Sequence, residues 1–360
     1  MSGLKIIDGH MHILQWERSD GKSTFDVIEE YRENNHIAYV DNMCCSNNGD
    51  LWDGYEADQS ILGAVAKLEN PHVFTHGCLY IPQDPAQYQK YNFKDQLDEL
   101  MELGLDGIKI CDFKPDAYKI LNVESRLADY DEYLGYCEKY GVHLCWHVAD
   151  PDTFWDETKV ADWAKKAGWF YGDGSYPSFE KLIALAYALI EKHPNLHVML
   201  AHAFFKSNEP EEMERLLSDH PNVTIDLALG REMFDGFSSH YEAWHRLFRD
   251  YSDRFVFATD AATTQPAAKM AHRAESVLRF LQTDEKFLFS NTNSVHGIKL
   301  EQQHLENILH KNHQRDVGVT PREINRAALR KYMERYLPLM PDSRSKYMAE
   351  LYYRKNLRGV

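Results

Sequence analysis

The chain has little that would suit it to an oxidising compartment or a membrane. Only six cysteines occur in 360 residues, scattered as Cys44, Cys45, Cys78, Cys111, Cys137 and Cys145. Small secreted scaffolds carry a denser framework, so reduced thiols are expected. No apolar run approaches the roughly 20 residues of a membrane span. The opening MSGLKIIDGHMH also lacks a basic segment followed by a long apolar stretch. A cytoplasmic location is the expectation. Basic residues are scarce, with Lys plus Arg at 40 against 56 for Asp plus Glu and a formal charge of -16. That balance repels phosphate backbones and anionic lipid surfaces, which argues against nucleic-acid or membrane partners. A glycine-rich phosphate loop is missing too: the first apolar run ends in Asp8-Gly9-His10-Met11-His12, which speaks against an open dinucleotide-binding sheet.

Histidine is what the chain has in excess, with 18 residues, several at the ends of apolar runs. A hydrophobic fraction of 44% and a charged fraction of 27% allow a large buried core. Eight short apolar runs alternate with longer amphipathic stretches: 4–11, 37–45, 73–80, 107–113, 142–148, 196–203, 223–229 and 255–261. Helical patterns lie between them at 93–103, 125–140, 179–192 and 211–220. Eight βα units predict an α/β fold of the (β/α)8 TIM-barrel type. The whole chain, 1–360, reads as one unit, with 1–290 as barrel core and 291–360 as a C-terminal helical extension. Patterns at 268–283, 300–312 and 321–336 exceed what closing a barrel needs. They are expected to pack beneath it or against a second copy in a homodimer.

Residues two apart on a strand share a face, so His10 and His12 project together and Met11 turns away. Alone, a His-x-His is weak evidence, because such short motifs recur by chance. Its position at the carboxyl end of the first strand strengthens it, since barrel enzymes keep their chemistry there. The fifth run ends in His147, the sixth in His202 and the eighth in Asp260. Four of eight strands thus deliver metal-competent side chains to one end. His143 and His197 begin their strands and read as ordinary core or surface histidines. His76 has no evident partner in the sequence. Cys111 and Cys145 read as small packing groups, and Asp8, one layer below His10, as a group that orients a ligand histidine.

In Asp8-Gly9-His10-Met11-His12, His147, Ala201-His202, Thr259-Asp260 and the late segment Leu305-Glu306-Asn307-Ile308-Leu309-His310-Lys311-Asn312, the chain resembles the amidohydrolase superfamily. Within it, the chain is similar to the amidohydrolase-related group that includes aminocarboxymuconate-semialdehyde decarboxylase. The resemblance implies one divalent ion, zinc before manganese or iron, held by His10, His12, His147 and Asp260, with His202 as a catalytic group beside it. Imidazole and carboxylate suit zinc, whose bound water can have a pKa of about 7. Asp260 is then placed to take a proton from that water, and His202 to polarise a carbonyl or shuttle the proton. Lys109 on the fourth strand has two readings. Two-metal members of the superfamily carbamylate a lysine there, but a plain charge that binds a substrate carboxylate is favoured.

The long segment Pro151–Pro177 is rich in aromatics and acids and is expected to form a lid, with Trp155 as a substrate contact. Arg231, just after the seventh strand, is a candidate clamp for a substrate carboxylate, with a surface salt bridge as the competing reading. The expected substrate is a small molecule, carboxylated. Hydrolysis of an amide, ester or lactone leads. Non-oxidative decarboxylation uses the same ligands and stands second, and a non-catalytic binding protein on the same barrel stands third.

Overall fold

A computed structural model gives the positions of residues 4–45, 55–82, 84–290 and 293–359. Eight parallel strand positions follow in chain order: β1 (Ile7–His12), β2 (Tyr39–Met43), β3 (Val73–Gly77), β4 (Gly107–Phe113), β5 (Leu144–Val148), β6 (Val198–Leu200), β7 (Val223–Asp226) and β8 (Phe255–Val256). A short ninth strand, β9 (Ala261–Ala262), pairs with the other edge of β1. The spatial order β8-β7-β6-β5-β4-β3-β2-β1-β9 is the chain order, as expected when each crossover helix packs back onto a twisted parallel sheet.

The eighth apolar run closes the barrel by splitting. Its first half bonds to β7 and its second half to β1. Between them, Gly9 N donates to Phe257 O at 2.9 Å and Asp260 N to His10 O at 2.9 Å. The break falls at Asp260, whose φ of 54° is incompatible with a continuous strand. The result is a TIM barrel with C-terminal helices and a long loop after the fifth strand.

Local signals set the outer helices. Phe93–Leu103 starts where the Asn92 side chain accepts from Asp95 N and ends at Gly104 in the left-handed region. Phe179–Lys192 is capped by Ser178, which accepts from Lys181 N. Inside the barrel, Met43, Cys145, Met199, Ala201 and Val256 pack as a small apolar layer under the histidines.

The C-terminal segments pack on the barrel. The turns Gln302–Glu306, Asn307–Lys311 and Asn312–Asp316 run past β8, where Phe257 N donates to Ile308 O at 2.8 Å. They carry His313 to Asp41, 2.8 Å away, in the interior. Arg326–Tyr336 docks on helix Phe93–Leu103 through Tyr336 and Arg335, both bonded to Glu99. The elements without a counterpart in the sequence reading include the antiparallel hairpin β10 (Lys286–Ser290) and β11 (Asn293–His296), and the last helix Arg344–Asn356. Among the described residues no helix is long and apolar enough to cross a membrane, and all six cysteines are free thiols.

Candidate active site

His10 and His12 leave the end of β1 on one side, as the alternation of a strand requires, and their rings meet edge to face at 4.9 Å. Each imidazole commits its outer nitrogen to a protein acceptor. Nδ1 of His10 is 2.6 Å from Oδ2 of Asp226, and Nδ1 of His12 is 2.7 Å from Met43 O. Nδ1 of His202 is 2.8 Å from Ala228 O, and Nε2 of His147 is 2.9 Å from Ala149 O. An acceptor at each of these positions requires the N–H there, which leaves the inner nitrogen as a bare lone pair.

Those inner nitrogens face one another. Nε2 of His10 lies 3.2 Å from Nε2 of His12, which lies 3.1 Å from Oδ1 of Asp260. Nε2 of His202 lies 3.2 Å from Nδ1 of His147, and the rings of His10 and His202 are 5.1 Å apart. Burial keeps His10 and His147 below the usual imidazole range, and lowers His202 to about 4. Burial alone would raise Asp260, but the Arg273 guanidinium holds it well below the carboxylate range. Neutral imidazoles beside an ionised carboxylate, with lone pairs turned inward, fit a divalent cation.

His10, His12 and Asp260 present one ligand atom each within 4.8 Å of one another. The fourth expected ligand, His147, lies outside that group, its Nδ1 3.2 Å from His202 Nε2. A second group, His10, Cys145 and Asp226, is fully buried. Lys109 sits next to it, its Nζ 3.5 Å from His10 Nε2 and 3.3 Å from Cys145 Sγ.

The backbone here is strained. His202, Ala203, Phe204 and Phe205 all have φ between 52° and 57°, a left-handed turn that costs of order 1 kcal/mol or more per non-glycine residue. The His202 N–H is held by Asp226 Oδ1 at 2.6 Å, which pins the turn.

Above the histidines opens a cavity of about 600 Å³. His12, His147, His202, Asp260 and Lys109 line its floor. The 151–177 loop folds over it with a small core of its own around Phe154, Val160, Ala164 and Tyr171, and supplies Phe154, Trp163 and Trp169 to the wall. Trp155 does not line this cavity. Its indole N–H donates to Pro177 O at 3.0 Å and its ring packs on Tyr171 and Phe179, so it braces the loop from behind. Arg231 lines the rim half-exposed, its Nε 3.5 Å from Asp235.

Two other residues, Asp8 and Cys111, differ from the sequence reading, while His76 is the structural histidine it was read as. Asp8 does not touch a histidine ring: it accepts from the His10 N–H, Tyr31 and Thr259, and the ring of His10 is oriented by Asp226. Cys111 faces the cavity rather than packing in the core. His76 is fully paired, Nδ1 to Asp41 at 2.9 Å and Nε2 to His143 at 2.7 Å, and with His313 these side chains form a buried polar chain in the barrel.

Sequence reasoning missed Asp226, Arg273 and the mouth pair Lys114–Asp150, which also binds Tyr171 and reaches His147 at 3.3 Å. Asp226 lies inside the seventh apolar run, 223–229, and only the structure ends the strand there.

A closed parallel barrel with convergent imidazoles at the carboxyl ends of its strands defines a class of barrel enzymes. The chain belongs to the amidohydrolase family: the family profile Amidohydro_2, described as Amidohydrolase, matches residues 7–315. Members of this superfamily bind divalent metals and act on small molecules. Among solved structures, the uncharacterised TIM-barrel protein Bb4693 of Bordetella bronchiseptica aligns over 87% of this chain and 98% of its own. It is 14% identical with a TM-score of 0.54, a likeness that shows the fold. Metarhizium anisopliae IDCase in apo form aligns over 87% and 97%, at 11% identity and a TM-score of 0.49. Saccharomyces cerevisiae dihydroorotase, solved with 5-fluoroorotic acid, aligns over 87% and 84%, at 9% identity and a TM-score of 0.49. No curated protein matches the chain.

Proposed function

We propose that this protein is a metal-dependent hydrolase that cleaves a small amide, ester or lactone, with one divalent ion, zinc first, held by His10, His12, His147 and Asp260. The observation that supports it is the protein acceptor found at the outer nitrogen of every imidazole, a pairing that draws the N–H there and leaves the inner nitrogen as a ligand or base. A bound divalent ion supplies Lewis acidity toward the substrate carbonyl and a water of pKa about 7.

The chain's own residues do the rest. Asp260, ionised and steadied by Arg273 Nη1 at 3.3 Å from Oδ2, accepts the proton of the attacking water. His202, neutral and anchored through Nδ1 to Ala228 O, takes that proton at Nε2 and delivers it to the leaving group. The aromatic loop with Trp163 and Trp169 covers the reacting centre, and Arg231 and Lys109 meet a carboxylate on the substrate from the rim and the floor.

Metal analysis of the purified protein tests the first half of this reading. About one equivalent of divalent ion per chain is expected, and failure to take up any removes it. A screen of amides, esters and lactones beside small aromatic carboxylic acids, followed by product analysis and carbon dioxide release, tests the second half. Gas release without hydrolysis would reassign the site to decarboxylation and to the decarboxylase-containing group.

A further inference from the structure

The charges that line the cavity are neutralised by the protein, with one exception among the carboxylates. Asp260 has Arg273 at 3.3 Å. Asp150 has Lys114, which also reaches Asp116 at 3.9 Å. Glu232 has no such partner: among the described residues no cation lies within ion-pair distance of its carboxylate and no other side chain donates to it. Its neighbour Arg231, on the cavity rim, pairs with Asp235 instead.

Glu232 is only partly exposed and lines the cavity beside Gly230 and Met233, on the first turn of the helix Arg231–Ser239. Burial raises its carboxyl above the usual range, against the smaller opposing pull of its own backbone N–H and of Arg231. Asp235 and Asp152 act on it at longer range. Phe289 of β10 lines the same wall, its ring packed on Phe234 of that helix at 4.9 Å and on His272 at 5.5 Å. A half-buried carboxylate with no side-chain donor, on the wall of a substrate cavity, leaves hydrogen-bonding capacity for what enters.

We propose that Glu232 is a specificity-determining residue that selects molecules presenting a hydrogen-bond-donating nitrogen, an amide N–H or an ammonium, to this wall. The inference rests on reading the cavity as the substrate site, and not on the identity of the ion or the reaction. Together with the rim and floor cations, Glu232 makes the site suited to substrates that carry both an acid and a nitrogen donor.

Three probes separate these terms without turnover: benzoate carries the acid, benzylamine the ammonium, and 3-(aminomethyl)benzoate both. Binding to the full-length protein is measured by calorimetry near neutral pH, with zinc loaded and with metal stripped. The bifunctional probe is expected to bind the wild type on the order of 10-fold tighter than benzoate, the size of one charge-assisted hydrogen bond. Glu232→Gln is expected to abolish that advantage without weakening benzoate, and Glu232→Asp to retain part of it. Equal binding of the two acids by the wild type, failure of both amines to bind, or an advantage that survives Glu232→Gln overturns the proposal. Loss of zinc binding would sink the hydrolase reading yet leave the ratio in stripped protein readable, so the two failures are distinct.

Discussion

Asp226 Oδ2 lies 2.6 Å from His10 Nδ1, while Oδ1 of the same carboxylate accepts the backbone N–H groups of His202 at 2.6 Å and Ala228 at 3.1 Å. One buried side chain at the end of β7 therefore fixes the tautomer of a β1 histidine and pins the left-handed turn that carries the β6 histidine.

Asp226→Asn keeps the size of the group and removes its charge. The amide holds the His10 N–H less firmly, and zinc affinity is expected to fall about 10- to 100-fold, the range for loss of a group that orients a ligand histidine. Competition with a chromophoric chelator measures it. Unchanged affinity would show that His10 is not a ligand or does not need orienting.

His202→Asn tests the division of labour between ligand and base. Metal content is expected to stay near that of the wild type, while turnover of a hydrolysed substrate falls about 100-fold or more. Loss of the ion along with activity would place His202 among the ligands.

A pH effect is expected far from the site. Asp58, 3% exposed, accepts from Ser345 Oγ at 2.7 Å and 2.8 Å, and burial lifts its carboxyl from 3.8 to about 6. Its folded pKa lies above the unfolded one, so its contribution is complete below about pH 4 and is lost as pH rises through about 6. Asp58→Asn is expected to melt close to the wild type near pH 4 and about 2–5 °C above it at pH 7.5. A difference independent of pH would refute the assignment.

Gly104 ends the helix Phe93–Leu103 with φ 91°, and a Cβ there would stand 2.0 Å from Glu323 O. Gly104→Ala combines a disfavoured backbone with a clash against main chain from the C-terminal extension. A loss of about 2 kcal/mol or more is expected in urea unfolding.

Alternation along single strands made much of the site legible in advance. His10, His12, His147, His202 and Asp260 could each be placed at a strand's carboxyl end because a period of two is a local property of the backbone. The polar chain Asp41–His76–His143–His313 was not legible, because its members come from three strands and a C-terminal turn.

The amino-acid order by itself determined the eight βα units, their succession around the barrel and the end at which the metal-competent side chains emerge, since strand periodicity and helix caps act over a few residues. Tertiary structure alone decided which nitrogen each imidazole turns inward, that Asp226 rather than Asp8 holds the His10 ring, that Trp163 and Trp169 rather than Trp155 face the cavity, and that Glu232 has no ion pair beside an Arg231 bonded to Asp235. Those outcomes depend on the stagger between strands and on how the loops settle over the barrel mouth, both set by contacts between residues far apart in the chain.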